Sequence, residues 1–320
     1  MSITVKALSE GLPFGSRVAG LTETIVQDED IRAQLRQLFE ERGMIVFEEV
    51  EPCSSMQVAL SEVFGPLKEH PVAAVPLVDS DQVPGIIEVR FSPESGDIVE
   101  IDGTPYSSWL PWHFDHCYNN ELNRAGVLRL VKSTPNGGET CFMDGIDLYN
   151  AIAPELLARI EGRSVIYSLD MQPDHIRFGR LENFRVLQVD PTQLEILEQH
   201  KTYPRAIHPA VWTRASGEKI LHYSPWMAEG IEGMDDSEAA ELLEAVAREI
   251  NRLGKTRRYA HQWKPTDMLI WDNWRMLHSV TGCTPPHART IYRSTIRGDY
   301  GLGRFENNDK GRYEVLEMTV

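Results

Sequence analysis

From Gly126 onward the chain is cut into short β-type runs, GVLRLVKS, ETCFMD, SVIYSL, AVWTR, KILHYS, DMLIWDN and RTIYRSTIRG, most of them bounded by Gly, Pro, Asn or Asp. So many short strands at this spacing suggest a jelly roll or barrel. Two helical patterns interrupt the series. IDLYNAIAPELLARI reads as one helix, and SEAAELLEAVAREINRL carries Leu242, Leu243, Val246 and Ile250 on one face.

The amino-terminal part reads differently. In DEDIRAQLRQLFEERG, Ile31, Leu35, Leu38 and Phe39 recur at helical spacing behind capping acids, Gly43 ends the helix, and MIVFEEV follows as a strand. Ser54 and Ser55 offer a second N-cap before MQVALSEVF. The expectation is one domain over 1–320, mainly β with flanking helices, with a small α/β layer over 1–70. Residues 73–112, rich in Pro, Gly and Ser, read as an irregular segment and a lid next to His113.

Composition narrows the partners. The 48 acidic and 32 basic side chains give a formal charge of -16, which opposes nucleic acid and anionic membranes at long range. The four cysteines lie far apart and lack CxxC spacing, so they read as reduced thiols. MSITVKALSEGLPFGS lacks a signal peptide's apolar stretch, and no run of about 18 apolar residues occurs. A cytoplasmic protein, forming a homo-oligomer and acting on small molecules without nucleic acid or membrane, is expected.

Chemistry is concentrated in three places. In LPWHFDHCY, His113 and Asp115 stand two apart, so on an extended backbone both leave one face and can present a nitrogen and an oxygen to one cation. His116 points to the opposite face on the same reasoning. His278, in DMLIWDNWRMLHSV, offers a third ligand, completing a two-histidine, one-carboxylate face that leaves positions open for a co-substrate and O2 on ferrous iron. Eleven residues on, Arg289 and Arg293 share a strand face and suit two-pronged carboxylate binding. Taken alone, HxD also fits a hydrogen-bonded strand end, and the arginines fit a solvated edge strand.

In combination, WHFDH, NGGET with Thr140, His278 and the arginine-bearing end resemble the taurine dioxygenase / TfdA family of Fe(II)- and 2-oxoglutarate-dependent dioxygenases. LPFGSRVAGL, GMIVFEEV, FGPLKEHPV and IHPAVWTRASGEKIL extend the resemblance over nearly the whole chain. It implies a double-stranded β-helix (jelly-roll, cupin-like) core, with Fe(II) on His113, Asp115 and His278. Thr140 and Arg289 would hold the distal carboxylate of 2-oxoglutarate. Arg293 would meet an anionic group of co-substrate or substrate, and His70, Trp109 and Tyr118 would join it in binding substrate.

Trp112, Trp271 and Trp274 are expected to pack around the metal, and His208 either to lie near the site or to make a structural hydrogen bond. HPVA stands where the taurine enzymes have HPVY, with Ala73 in the tyrosine's place, which points to a larger acid with an apolar or aromatic body. Hydroxylation of such a substrate, with any cleavage that follows, would release succinate and CO2. A metal-dependent hydrolase or isomerase on a cupin-like barrel, or a non-catalytic binder of the same fold, would share the three ligands.

Overall fold

The computed structural model describes residues 2–68, 85–91, 94, 96–201, 203–287 and 289–306. Two facing sheets form its centre. The larger runs in the order Thr4–Ala7, Ser16–Ala19, Met44–Glu48, Met268–Asp272, Ala125–Lys132, Thr290–Ile296, Leu67–Lys68, with Ile86–Arg90 also paired to Thr290–Ile296. The smaller runs Arg185–Gln188, Ile98–Ile101, Thr104–His113, Met276–Cys283, Thr140–Asp144, Tyr259–His261. Together they make the jelly-roll core.

Why the larger sheet's strands are nearly continuous apolar runs follows from burial on both faces. Successive side chains alternate sides. Ile45, Phe47, Val127 and Ile270 pack outward against helices α1 (Glu29–Arg42) and α2 (Ser54–Phe64). Their neighbours Val46, Leu128, Leu269 and Trp271 pack inward against Phe142, Tyr259 and Met276 of the smaller sheet. That sheet's other face carries Trp112, Cys141, Met143 and Leu277, which are buried with Leu242, Leu243, Val246 and Ile250 of the long helix Asp236–Arg257. The layers are therefore α1 with α2, larger sheet, smaller sheet, long helix.

Local signals explain the boundaries. Asp28 caps α1 by accepting from the N–H groups of Asp30 and Ile31, and Gly43 ends it in the left-handed region at φ 76°. At α2 the cap is Cys53 rather than Ser54 or Ser55, which are the first helical residues. The stretch expected as one helix over 146–160 is two, Gly145–Ala151 and Pro154–Ile160, because Pro154 has no N–H to donate and its ring blocks the preceding turn.

The expected irregular lid over 73–112 is overturned in its described part. Ile86–Arg90 joins the larger sheet, and Ile98–Ile101 and Thr104–His113 are strands of the smaller one. Thr104–His113 lies between two partners in that sheet and cannot lift away as a flap. Residues 73–84 lie outside the described residues. Among the described residues no helix is long and apolar enough to cross a membrane.

Candidate metal centre and co-substrate site

His113 is the last residue of its strand and stands opposite His278 in the register. Asp115 lies just beyond the strand, in the turn that follows, so it is the turn rather than strand alternation that brings its carboxylate back. The His113 and His278 rings are 4.0 Å apart, and His278 Nε2 is 3.6 Å from Asp115 Oδ1. One ligand atom from each of the three residues lies within 4.8 Å of the others. All three are buried, at 5%, 8% and 6% exposure, so bulk water competes poorly for the donors.

Burial also fixes their charge. It pushes both imidazoles below the ordinary histidine range, so they are neutral. His113 Nδ1 lies 2.8 Å from Pro111 O; a carbonyl only accepts, so Nδ1 carries the proton and Nε2 keeps its lone pair. Burial alone would raise the Asp115 carboxyl, but the Arg293 guanidinium beside it outweighs this and holds the group well below the usual carboxylate range. Two neutral imidazoles and one carboxylate converging from one side fit a ferrous ion with open coordination positions.

Two aromatic rings and one amide surround this triad. Trp271 packs at 4.9 Å on His278, and Trp226 meets His113 edge-on at 4.9 Å. Of the three tryptophans expected there, only Trp271 arrives. Trp112 points to the opposite face of its strand, against Gly254 of the long helix, and Trp274 packs on Tyr300 and Arg124. The Asn273 side chain accepts from Asp115 N–H at 2.8 Å and donates to Asp115 O at 3.1 Å and to Asn123 Oδ1 at 3.0 Å. Trp226 and Asn273 escaped the sequence reading; DMLIWDN was singled out there for its strand, not its asparagine.

The guanidiniums come from the facing sheet. Arg293 donates to both carboxylate oxygens of Asp115, at 3.1 and 2.7 Å, and lies 5.6 Å over the Trp271 ring. Arg289, 8% exposed, donates to Gly138 O at 2.6 Å and forms no ion pair with a carboxylate among the described residues. Burial without such a partner pushes it down to about 10. Gly138 is at φ 75°, and a Cβ there would press on Arg289 Cδ at 3.3 Å, so the NGG turn lets the guanidinium approach. Across the gap, Thr140 is 1% exposed and stands opposite Val280, on the same face of its strand as Phe142 and His278.

The remaining sequence candidates separate. Tyr118 is buried, its ring 5.9 Å from His116, which sits at φ 59° and is itself buried. Trp109 pairs with Thr281 while Leu110 pairs with Val280, so register puts Trp109 on the sheet face away from His278, packed on Phe184 at 5.2 Å. One more residue separates Leu110 from His113 than separates Val280 from His278, and this bulge puts Trp109 on the face opposite His113 although the two are four residues apart. His208 is buried, with Nε2 2.7 Å from Asn119 O, a structural bond. His70 lies outside the described residues.

The chain matches the model of the taurine catabolism dioxygenase TauD, TfdA family over residues 4–295. It belongs to that family. A TauD/TfdA member is an oxidoreductase, an Fe(II)- and 2-oxoglutarate-dependent dioxygenase, and the hydrolase, isomerase and binding-protein readings fall away. Among its relatives is the alpha-ketoglutarate-dependent 2,4-dichlorophenoxyacetate dioxygenase of Cupriavidus pinatubonensis, 27% identical over 293 residues, 86% of this chain and 94% of that one. The (S)-phenoxypropionate/alpha-ketoglutarate-dioxygenase of Sphingobium herbicidovorans is 26% identical over 292 residues, 89% and 92% of the two chains. The crystal structure of AAD-2 in complex with Mn(II) and N-oxalylglycine shares the fold, with a TM-score of 0.68 at 21% identity over 93% of this chain and 98% of that one.

Proposed function

We propose that this TauD/TfdA dioxygenase binds Fe(II) through His113, Asp115 and His278, holds the distal carboxylate of 2-oxoglutarate with Arg289 and Thr140, and oxidises a small organic acid with an apolar or aromatic body. The observation that carries the co-substrate assignment is Arg289, a buried guanidinium with no carboxylate partner among the described residues. A buried charge without a counter-ion is costly. A dicarboxylate supplies the missing anion.

The bound iron and co-substrate supply the oxidising power, with release of succinate and CO2. The chain's residues do the rest. Pro111 O fixes the tautomer of His113, Asn273 fixes the backbone of Asp115, and Arg293 keeps Asp115 ionised. Trp271 and Trp226 cover the imidazoles and exclude water.

Charge balance supports an acid as substrate. Two neutral imidazoles, one carboxylate and two guanidiniums leave the buried site with one positive charge. A divalent cation adds two and a doubly charged co-substrate removes two, so one positive charge remains for a monoanion. The two relatives named for aryloxyalkanoates, phenoxypropionate and 2,4-dichlorophenoxyacetate, are named for acids of this kind. Because Arg293 already grips Asp115 with both terminal nitrogens, its field rather than a second two-pronged pair would greet the head group.

The test is a panel of aryloxyalkanoates, sulfonates, alkyl sulfates and uncharged analogues, scored by substrate-stimulated succinate formation and product mass. Bulky monoanions should outperform taurine and the uncharged analogues; stimulation by uncharged compounds alone would overturn the substrate class. Separately, His113→Ala and Asp115→Ala should lose Fe(II) binding while folding, and retention of wild-type metal affinity in either would remove that ligand.

A further inference from the structure

Thr140 and Arg289 are joined by a residue that neither the metal nor the co-substrate assignment uses. Trp263 Nε1 donates to Thr140 Oγ1 at 3.1 Å, and the Trp263 ring lines, with Gly138, Glu139 and Arg289, a cavity of about 300 Å3. Trp263 lies two residues past the Tyr259–His261 strand, whose last residue His261 stands opposite Thr140 in the register. The His261 ring meets Trp263 edge-on at 4.5 Å. His261 is itself held, with Nδ1 3.0 Å from Tyr259 Oη, which accepts from Arg17 Nη2 at 2.8 Å. The indole is therefore backed by a His261 ring that hydrogen bonds through Tyr259 to the partly buried Arg17 hold in place.

The direction of the Trp263 bond matters. A threonine hydroxyl has one proton to give and two lone pairs to offer, whereas an indole N–H can only donate. With Trp263 on one lone pair, the Thr140 proton must point elsewhere, and among the described residues the hydroxyl donates no recorded hydrogen bond. A hydroxyl 1% exposed with an unspent proton is a donor waiting for an acceptor. Were Trp263 replaced by an acceptor, the hydroxyl would turn toward it and the proton would be spent there.

We propose that Trp263 is a positioning residue for the co-substrate: its indole N–H orients the Thr140 hydroxyl so that the proton is presented to the distal carboxylate of 2-oxoglutarate beside Arg289. This rests on the assignment of Thr140 and Arg289 to that carboxylate. Trp263 acts only through Thr140.

The experiment measures 2-oxoglutarate affinity by calorimetry on the Mn(II)-loaded full chain, without turnover, for wild type, Trp263→Phe, Thr140→Val and the double variant. Thr140→Val should weaken binding about ten-fold and Trp263→Phe about five-fold, the range for one hydrogen bond to a charged group and one between neutral groups. In the Thr140→Val background Trp263→Phe should cost nothing further, while in a Thr140→Ser background, where the hydroxyl remains, its cost should return. A general loosening of the cavity would instead weaken binding equally in every background, which overturns the proposal. So does wild-type affinity in Trp263→Phe alongside a weakened Thr140→Val. Unchanged affinity in Thr140→Val would instead sink the co-substrate assignment of Thr140, and this proposal with it.

Discussion

The side chain of Asn273 bonds both backbone groups of Asp115, accepting from its N–H at 2.8 Å and donating to its carbonyl at 3.1 Å. This two-point clamp fixes the turn in which the carboxylate swings back toward His113 and His278. Asn273→Leu keeps the volume but strands the two buried groups, each worth roughly 1 to 3 kcal/mol. Denaturant unfolding should show a loss of that order, and Fe(II) affinity should fall ten-fold or more. Asn273→Asp, which keeps the acceptor and loses the donor, should fall between.

Arg293 lies within the Thr290–Ile296 strand and Arg289 just before it, but the two should respond oppositely to removal. Arg293→Met leaves the buried Asp115 carboxylate unpaired and should lower the thermal midpoint of the metal-free protein, at a cost of roughly 3 to 5 kcal/mol. Arg289→Met removes a guanidinium without a carboxylate partner, so the metal-free midpoint should hold or rise. The same variant should weaken 2-oxoglutarate binding at least ten-fold, consistent with roughly 2 to 5 kcal/mol for losing one side of a buried charged pair. Equal destabilisation by both would contradict the distinction drawn from their partners.

Gly126 should prove intolerant of a side chain although its backbone is ordinary. A Cβ there would lie 2.3 Å from the Trp271 ring, which packs on His278. Gly126→Ala should cost roughly 1 to 3 kcal/mol through overpacking. Because the displaced ring presses on His278, it should also weaken metal binding, whereas an equally destabilising change in α2 should not; calorimetric metal titration separates the two.

Acid should destabilise the fold through histidines that the metal does not use. Burial lowers His208 to about 4, His222 to about 3 and His261 to about 3. The unfolded chain takes up these protons near pH 6.5 and the folded chain only near 3 to 4, so stability is intact above about 6.5 and falls as pH drops through that window. Each contributes up to about 1.4 kcal/mol per pH unit. The thermal midpoint should decline steadily from about pH 6.5 toward 4, and a flat profile would show that these rings are not buried and neutral.

Much of the fold was legible because burial on two faces leaves a clear imprint: MIVFEEV, GVLRLVKS and DMLIWDN are apolar almost throughout and are neighbouring strands of the larger sheet. The candidate triad was legible in residue type, although a turn after His113 and not strand alternation brings Asp115 to the histidines. What stayed hidden depended on partners distant in sequence or on local irregularity. Asn273 reaches across 158 positions to Asp115, and nothing in its own neighbourhood marks that. Thr104–His113 concealed a strand because Ser107, Ser108 and two prolines blur its alternation, and with the strand went the bulge that turns Trp109 away from His278. Pro154 was visible and divided a helix read as continuous.

The split of the site between sheets has a mechanical side. His113, His278 and Thr140 ride on the smaller sheet, Arg289 and Arg293 on or beside a strand of the larger, and Phe142, Leu128 and Trp271 fill the space between. On the proposed assignment, the spacing of the sandwich is a caliper, and the five-carbon diacid is the length it gauges. Thinning or thickening that filling, at side chains that touch neither metal nor carboxylate, would be felt as a changed preference for diacid length.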